Sequence, residues 1–149
     1  MIREGRLSPE LRSALVEAGW SAGRKVDLAG LRAEMDSYGY RMSGAAASLL
    51  ESLHGLRIEG YVGEADPLVV DPTEVGLEGG RDTERLESRF GGHWFPIGTW
   101  LYNGDVYIED GGRMVFTFNL QCWNLGDTAE EALELAICLD RPLMPAPGD

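Results

Sequence analysis

Lysine is almost missing from this chain, with Lys25 standing alone beside twelve arginines among 149 residues. Histidine and cysteine are scarce as well, two of each: His54, His93, Cys122 and Cys138. The cysteines form no C-x-x-C pair, which argues against a disulfide framework and fits a reducing, cytoplasmic compartment. Two isolated histidines and two isolated cysteines lack the spacing of a zinc site. No run of about 18 apolar residues occurs, so no membrane-spanning helix is expected. The opening "MIREGRLSPELRS" has no apolar core of a secretory signal.

Catalytic signatures are equally thin. "GLEGG" and "FGGHW" are glycine-rich, but neither follows a strand and opens a helix as a phosphate-binding loop does. There is no G-x-S-x-G nucleophile elbow. Carboxylates are so plentiful that no single pair stands out as an acid–base site. These absences predict a protein that is not an enzyme and needs neither cofactor nor metal.

What is present in excess is negative charge: 25 acidic against 13 basic residues, a formal net charge of −12. The imbalance is uneven. Residues 1–50 hold seven basic and six acidic side chains, residues 51–90 four against ten, and residues 101–149 two against nine. Such a field repels phosphate backbones, which disfavours nucleic-acid binding, and it attracts a basic partner. Trp20, Trp94, Trp100 and Trp123 each neighbour a glycine, a turn or a strand, and with no basic groove beside them they read as core anchors.

Hydrophobic spacing divides the chain. Ser8-Pro9 is an N-cap with a first-turn proline, and Leu11, Ala14, Leu15 and Ala18 then follow helical spacing up to Gly19. Asp27 is expected to cap a second helix, with Leu28, Leu31, Met35 and Tyr38 inward. Ser43 is expected to cap a third, carrying Ala46, Leu49, Leu50 and Leu53 and ending at Gly55. The period then changes. Leu56, Ile58 and Tyr61 suggest one strand and Leu68–Val70 another, while residues 59–92 read as irregular apart from a helix over Thr83–Phe90.

From Phe95 three strand-like runs, "FPIGTWLY", "DVYIED" and "RMVFTFN", are separated by Asn103-Gly104 and Gly111-Gly112. These dipeptides suit the positive φ angles of tight hairpin turns, so an antiparallel meander is expected. Met114, Phe116 and Phe118 alternate with Val115 and Thr117, the pattern of a half-buried strand. Thr128 and Glu131 form a capping box for a last helix, whose Glu130, Glu131 and Glu134 fall opposite its apolar face and near Cys138. The fold class is therefore α+β: N-terminal helices packed on a mainly antiparallel sheet, with a C-terminal helix. One domain spans 1–149, with residues 1–7 and 142–149 expected to be loose.

Several pieces occur in a fixed order: "AGWSAGRKVD" (18–27), "GYRMSGAAASLLESLHGL" (39–56), "VDP" (70–72), "PIG" (96–98), "DVYIEDGGRMVF" (105–116) and "LGDTAEEALE" (125–134). Together they resemble the SUKH superfamily, specifically its third subgroup, the immunity proteins of bacterial polymorphic toxin systems. The resemblance covers about residues 11–142. The chain departs from the usual pattern at Leu49-Leu50, at His54-Gly55, at Val70-Asp71-Pro72 and at the additional Gly112. The resemblance implies a SUKH-like fold and a non-catalytic protein that binds a cognate toxin and neutralises it.

Within "AGWSAGRKVD", Trp20, Gly23, Arg24 and Asp27 are expected to be structural: Trp20 packs the connector down, Arg24 pairs with a carboxylate of this chain, and Asp27 caps a helix. The acidic balance points to a basic, nuclease-like toxin as partner, with no nucleic acid and no membrane involved. The expected toxin-binding residues are Glu59, Glu64, Asp66, Asp71, Glu74 and Glu78 in the irregular tract, and Asp105, Glu109 and Asp110 on the meander. Tyr61, Tyr102 and Tyr107 are expected to serve as aromatic anchors. For two of these a local role competes: Asp71 in the Asp-Pro turn and Asp110 in a hairpin. The alternative function is a small-ligand-binding or regulatory module with a pocket between meander and helices.

Overall fold

The computed structural model describes residues 2–60, 66–76 and 79–146. Among them are five α-helices and seven strands. Helices α1 (Pro9–Ala18), α2 (Ala29–Ser37) and α3 (Gly44–Leu53) come first, then the short strands β1 (Arg57–Ile58) and β2 (Leu68–Val69) and helix α4 (Gly79–Phe90). Strands β3 (Trp94–Thr99), β4 (Asp105–Glu109), β5 (Met114–Phe118) and β6 (Gln121–Gly126) follow, then α5 (Ala129–Cys138) and β7 (Met144–Pro145). The seven strands form one antiparallel sheet in sequence order. The α+β class with a closing helix is therefore correct.

The helix ends follow their capping chemistry. Ser8 Oγ accepts the Leu11 N–H at 3.1 Å and Ser43 Oγ that of Ala46 at 3.1 Å. Gly19, at φ +115°, ends α1, and Trp20 sends its N–H back to the Leu15 carbonyl. Asp27 accepts the Ala29 N–H at 3.0 Å, one residue before the α2 N-cap at Leu28. Trp20 is buried, as expected.

The connector after Trp20 does more than link helices. The last carbonyls of α3 have no partners within the helix. Val26 N–H donates to Glu51 O at 2.8 Å, and the Arg24 guanidinium donates to Ser52 O at 2.7 Å and His54 O at 2.8 Å. Leu50 O and Leu53 O receive the N–H groups of His54 and Leu56. Every carbonyl from Leu50 to His54 is thus occupied. The expectation of a carboxylate beside Arg24 is corrected here: its partners are backbone carbonyls, which suit a planar five-donor fork. His54 at the same end lends its own carbonyl to Arg24, with Nε2 4.0 Å from Asp71.

The main core lies between one face of the sheet and helices α1, α2, α3 and α5, where Leu11, Leu50, Ile58, Phe95, Val106, Ile108 and Phe116 pack together. The opposite face is buried too. Trp94, Tyr107, Val115 and Cys122 meet Val75 and Leu86, with Phe90 against them. The half-buried alternation expected of β5 is corrected accordingly: Val115 and Thr117 are as buried as Met114 and Phe116. The cause is α4, which begins four residues earlier than expected and lies over the second face.

The described residues near both ends make defined contacts. Ile2 is buried, Arg3 N–H donates to Glu130 Oε2 at 2.9 Å, and Ser8 N–H and Oγ–H both reach the Glu134 carboxylate. Glu130 and Glu134 therefore anchor the N-terminal segment and do not form an exposed acidic arc. Beyond α5, Ala146 is buried and Asn124 pairs with Met144. Burial, with Glu134 beside it, pushes the Cys138 thiol up to about 11, away from reactivity.

Strand β3 carries a proline in a central position, and the register shifts between Pro96 and Gly98 as a bulge. A Cβ on Gly98 would lie 1.9 Å from the Val69 carbonyl oxygen. Gly98→Ala is expected to separate β2 from β3 and to destabilise the fold by about 3 kcal/mol, measured by urea unfolding. Arg24→Met should cost about 2 kcal/mol through the carbonyls it strands, and Arg24→Lys should recover only part of that. Equal stability of Arg24→Met and the parent would refute the capping role.

Candidate functional site

Two turns project from one end of the sheet, and both hold their residues in left-handed backbone. The β3–β4 connection places Tyr102 at φ +55° and Asn103 at φ +60°. Gly104, expected to supply a positive φ, sits at −72°. Glycine is required there for space, because a Cβ would meet the Phe116 ring at 2.4 Å and the Thr117 carbonyl at 2.6 Å. The β5–β6 connection is a two-residue turn of Asn119 (φ +51°) and Leu120 (φ +67°), flanked by the pair Phe118–Gln121. Asparagine tolerates this region, whereas tyrosine and leucine there cost roughly 1–2 kcal/mol each.

Specific bonds hold these conformations. Tyr102 N–H donates to Asp66 Oδ2 at 3.0 Å, and its ring lies 5.6 Å from that of Phe118. Arg85 on α4 donates to the Leu120 carbonyl at 2.8 Å and pairs with Asp82 at 3.2 Å. Asp82 also accepts from Tyr107 Oη at 3.0 Å and Thr117 Oγ1 at 3.3 Å. One carboxylate in the first turn of α4 thus joins β4, β5 and the β5–β6 turn. Between the two turns lies an open cleft of about 360 Å³ lined by Asp82, Asn103, Asp105, Phe118 and Leu120, among others. Leu120 is 78% exposed and Tyr102 68% exposed, the two most exposed large apolar side chains among the described residues.

The residues expected from sequence scatter over several places. Asp66, Tyr102 and Asp105 gather at this end of the sheet. Glu109 and Asp110 lie at the other end of β4, about 13 Å along the strand from Asp105. Asp110 N–H donates to His93 O across that end. Glu59 is exposed and paired with Arg57 at 3.0 Å. Asp71 caps the 3-10 turn Pro72–Glu74, accepting the Thr73 N–H at 3.0 Å and its hydroxyl at 2.6 Å, while Glu74 in that turn is exposed. Tyr61, Glu64 and Glu78 lie outside the described residues.

Tyr107 requires correction. It is fully buried under α4 with its hydroxyl committed to Asp82, so its ring is not available as a surface anchor. The strand period places it on the sheet face that α4 covers, a cover the sequence signalled only weakly. Leu120 was missed for a related reason: Asn-Leu is not among the dipeptides that announce a two-residue hairpin turn.

Two further open concavities, of about 340 and 460 Å³, run along α1, the first also bordered by Arg57 and Glu59. A cleft of about 190 Å³ opens between Leu49 of α3, the Gly111-Gly112 turn and the N-terminus of α5, smaller than the roughly 300–1,000 Å³ usual for ligand pockets. Among the described residues no three His, Cys, Asp or Glu side chains cluster as metal ligands. No helix among them is long and apolar enough to cross a membrane.

The Asp82 network has a titration signature. Burial, with Asp82 and Asp105 adding repulsion, pushes the Tyr107 phenol strongly up. Tyr40, whose hydroxyl donates to the Gly76 carbonyl at 2.7 Å, is pushed up to about 12, chiefly by burial. Raised tyrosines stabilise the fold fully below the unfolded value of about 10, and that contribution is lost as pH climbs toward the folded values. Unfolding free energy is therefore expected to fall from about pH 10 upward, and Tyr107→Phe should flatten the fall. Ultraviolet phenolate absorbance alongside denaturant titration measures both; two buried tyrosines titrating freely in the folded protein would contradict it.

Against known families, the sequence model described as "SUKH-3 immunity protein" matches residues 7–138. No curated protein and no solved structure matches the chain.

Proposed function

The chain belongs to the SUKH-3 immunity protein family, and on that premise we propose that it is a non-catalytic inhibitor of a polymorphic toxin system, binding its cognate toxin domain in the cytoplasm. The observation that carries the partner's chemistry is the formal net charge of −12, concentrated after residue 50. A toxin that acts on nucleic acid needs a basic surface for phosphate, and an acidic protein competes for that surface with fast, electrostatically steered association. The proposed partner is therefore a basic nuclease domain.

The proposed contact residues are the acidic side chains that remain at the surface: Glu59, Asp66, Asp71, Glu74, Asp105, Glu109 and Asp110, with Tyr102 as the aromatic anchor. Their fold roles differ in weight. Asp71 is engaged by its own turn and Asp66 by Tyr102, whereas Glu74 is exposed and Glu59 is exposed and pairs with exposed Arg57. Glu59 and Glu74 are thus free to steer a partner without holding the fold. The ligand-binding alternative draws little support from the small apolar cleft beside α3, and the inhibitor reading is preferred.

Co-expression with the toxin domain encoded beside this gene should restore growth and yield a complex. Glu59→Lys with Glu74→Lys should slow association several-fold at low salt, and the difference should shrink at high salt, where the Debye length falls below about 10 Å. Rescue with an unchanged association rate would retain toxin binding and remove the acidic surface from it. Absence of both rescue and complex would overturn the function.

A further inference from the structure

The two most exposed large apolar side chains among the described residues stand where the fold least favours them. Leu120 and Tyr102 both occupy left-handed backbone, the region that glycine and asparagine fill readily. Their neighbours Asn103 and Asn119 are of the expected kind. Exposure removes the benefit of burial, and the backbone adds strain. Leu120 is also held deliberately, by the Arg85 guanidinium on its carbonyl, and Tyr102 by Asp66 on its N–H. Each turn is braced by a hydrogen bond from outside itself. Braced apolar side chains kept at a folding disadvantage are what a binding surface needs, since little ordering remains to be done on association.

The cleft between the turns identifies the occupant's chemistry. Asp105 lines it together with Phe118 and Leu120, within a chain whose net charge is −12, whereas the Asp82 carboxylate in the same lining is already committed to Arg85, Tyr107 and Thr117. We propose that Tyr102 and Leu120 are the apolar anchors with which this chain grips its cognate toxin, and that the toxin meets them with an apolar socket flanked by an Arg or Lys side chain entering the cleft. The proposal rests on the toxin-binding function above and adds to it the place and kind of contact. The acidic surface steers the encounter, and the two turns then decide how long the complex lasts, because central aromatic and apolar anchors act mainly on dissociation. Arg85 is a positioning residue in this scheme.

The test uses Leu120→Gly and Tyr102→Asn, each of which suits left-handed backbone, so that relief of strain offsets the added unfolded-chain entropy of glycine and the lost Phe118 contact. Binding of the purified toxin domain encoded beside this gene is measured by surface plasmon resonance, and melting temperature by calorimetry. Each variant is expected to melt close to the parent temperature while its complex dissociates about tenfold faster or more. Val16→Ala, which trims an exposed apolar residue on α1, should leave both values unchanged. If the parent binds and both variants dissociate at its rate, the anchors are refuted while the toxin-binding function stands. If the parent does not bind at all, the function and the anchors fall together. If the parent is a dimer in solution that Leu120→Gly separates, the surface belongs to a second copy of this chain and the proposal is overturned.

Discussion

The guanidinium of Arg24 sits beneath the end of α3, donating to the carbonyls of Ser52 and His54, while the adjacent Val26 N–H takes that of Glu51. Ser52 and Leu53 are buried, so water is not a ready substitute. This fork stitches the connector between α1 and α2 to the exit of α3, and from that exit the chain enters the sheet. Gly55 N–H and Leu56 O bracket Val70 in the next residues, extending the short β1–β2 ladder. A basic residue in a strongly acidic chain is retained here for its geometry, five fixed donors on one plane, more than for its charge.

The sheet that follows is buried on both faces, and a single carboxylate joins its second cover to it. Asp82 enters from the first turn of α4 and accepts hydrogen bonds from β4 and β5. The same helix supplies Arg85 to the β5–β6 turn. Packing, polar satisfaction and the shape of one sheet end therefore share one element. The acidic content of the chain divides in consequence: Asp82, Glu130 and Glu134 are committed to the fold, and Asp71 serves its own turn while staying at the surface.

That division gives the function its physical form. Long-range attraction depends on net charge and needs no particular arrangement, so it survives the scattering of the surface acids over both ends of the sheet. Specificity needs fixed, complementary shape, and the braced turns carrying Tyr102 and Leu120 present the two most exposed large apolar side chains among the described residues. In the proposed reading, capture falls to the surface acids and retention to the two turns.

Much was legible in the sequence because it is local. Ser8, Ser43 and Thr128 bond to N–H groups three residues ahead, and Gly19 ends α1 with a φ that other residues resist. Alternation and turn dipeptides placed β3, β4 and β5, and the family resemblance supplied the immunity role. What distant contacts decide was not legible. The cover that α4 lays over the sheet buried Tyr107 and Val115, the reach of Glu130 and Glu134 joined Arg3 and Ser8 to α5, and Arg24 found carbonyls where a carboxylate was expected. The sequence by itself determined the helices, the meander and the sign of the surface charge, since those depend on period, caps and composition. Which acids are spent on the fold, which tyrosine faces solvent and where the apolar tips meet were decided only by tertiary structure, because each depends on a partner some 20 to 130 residues away in the chain.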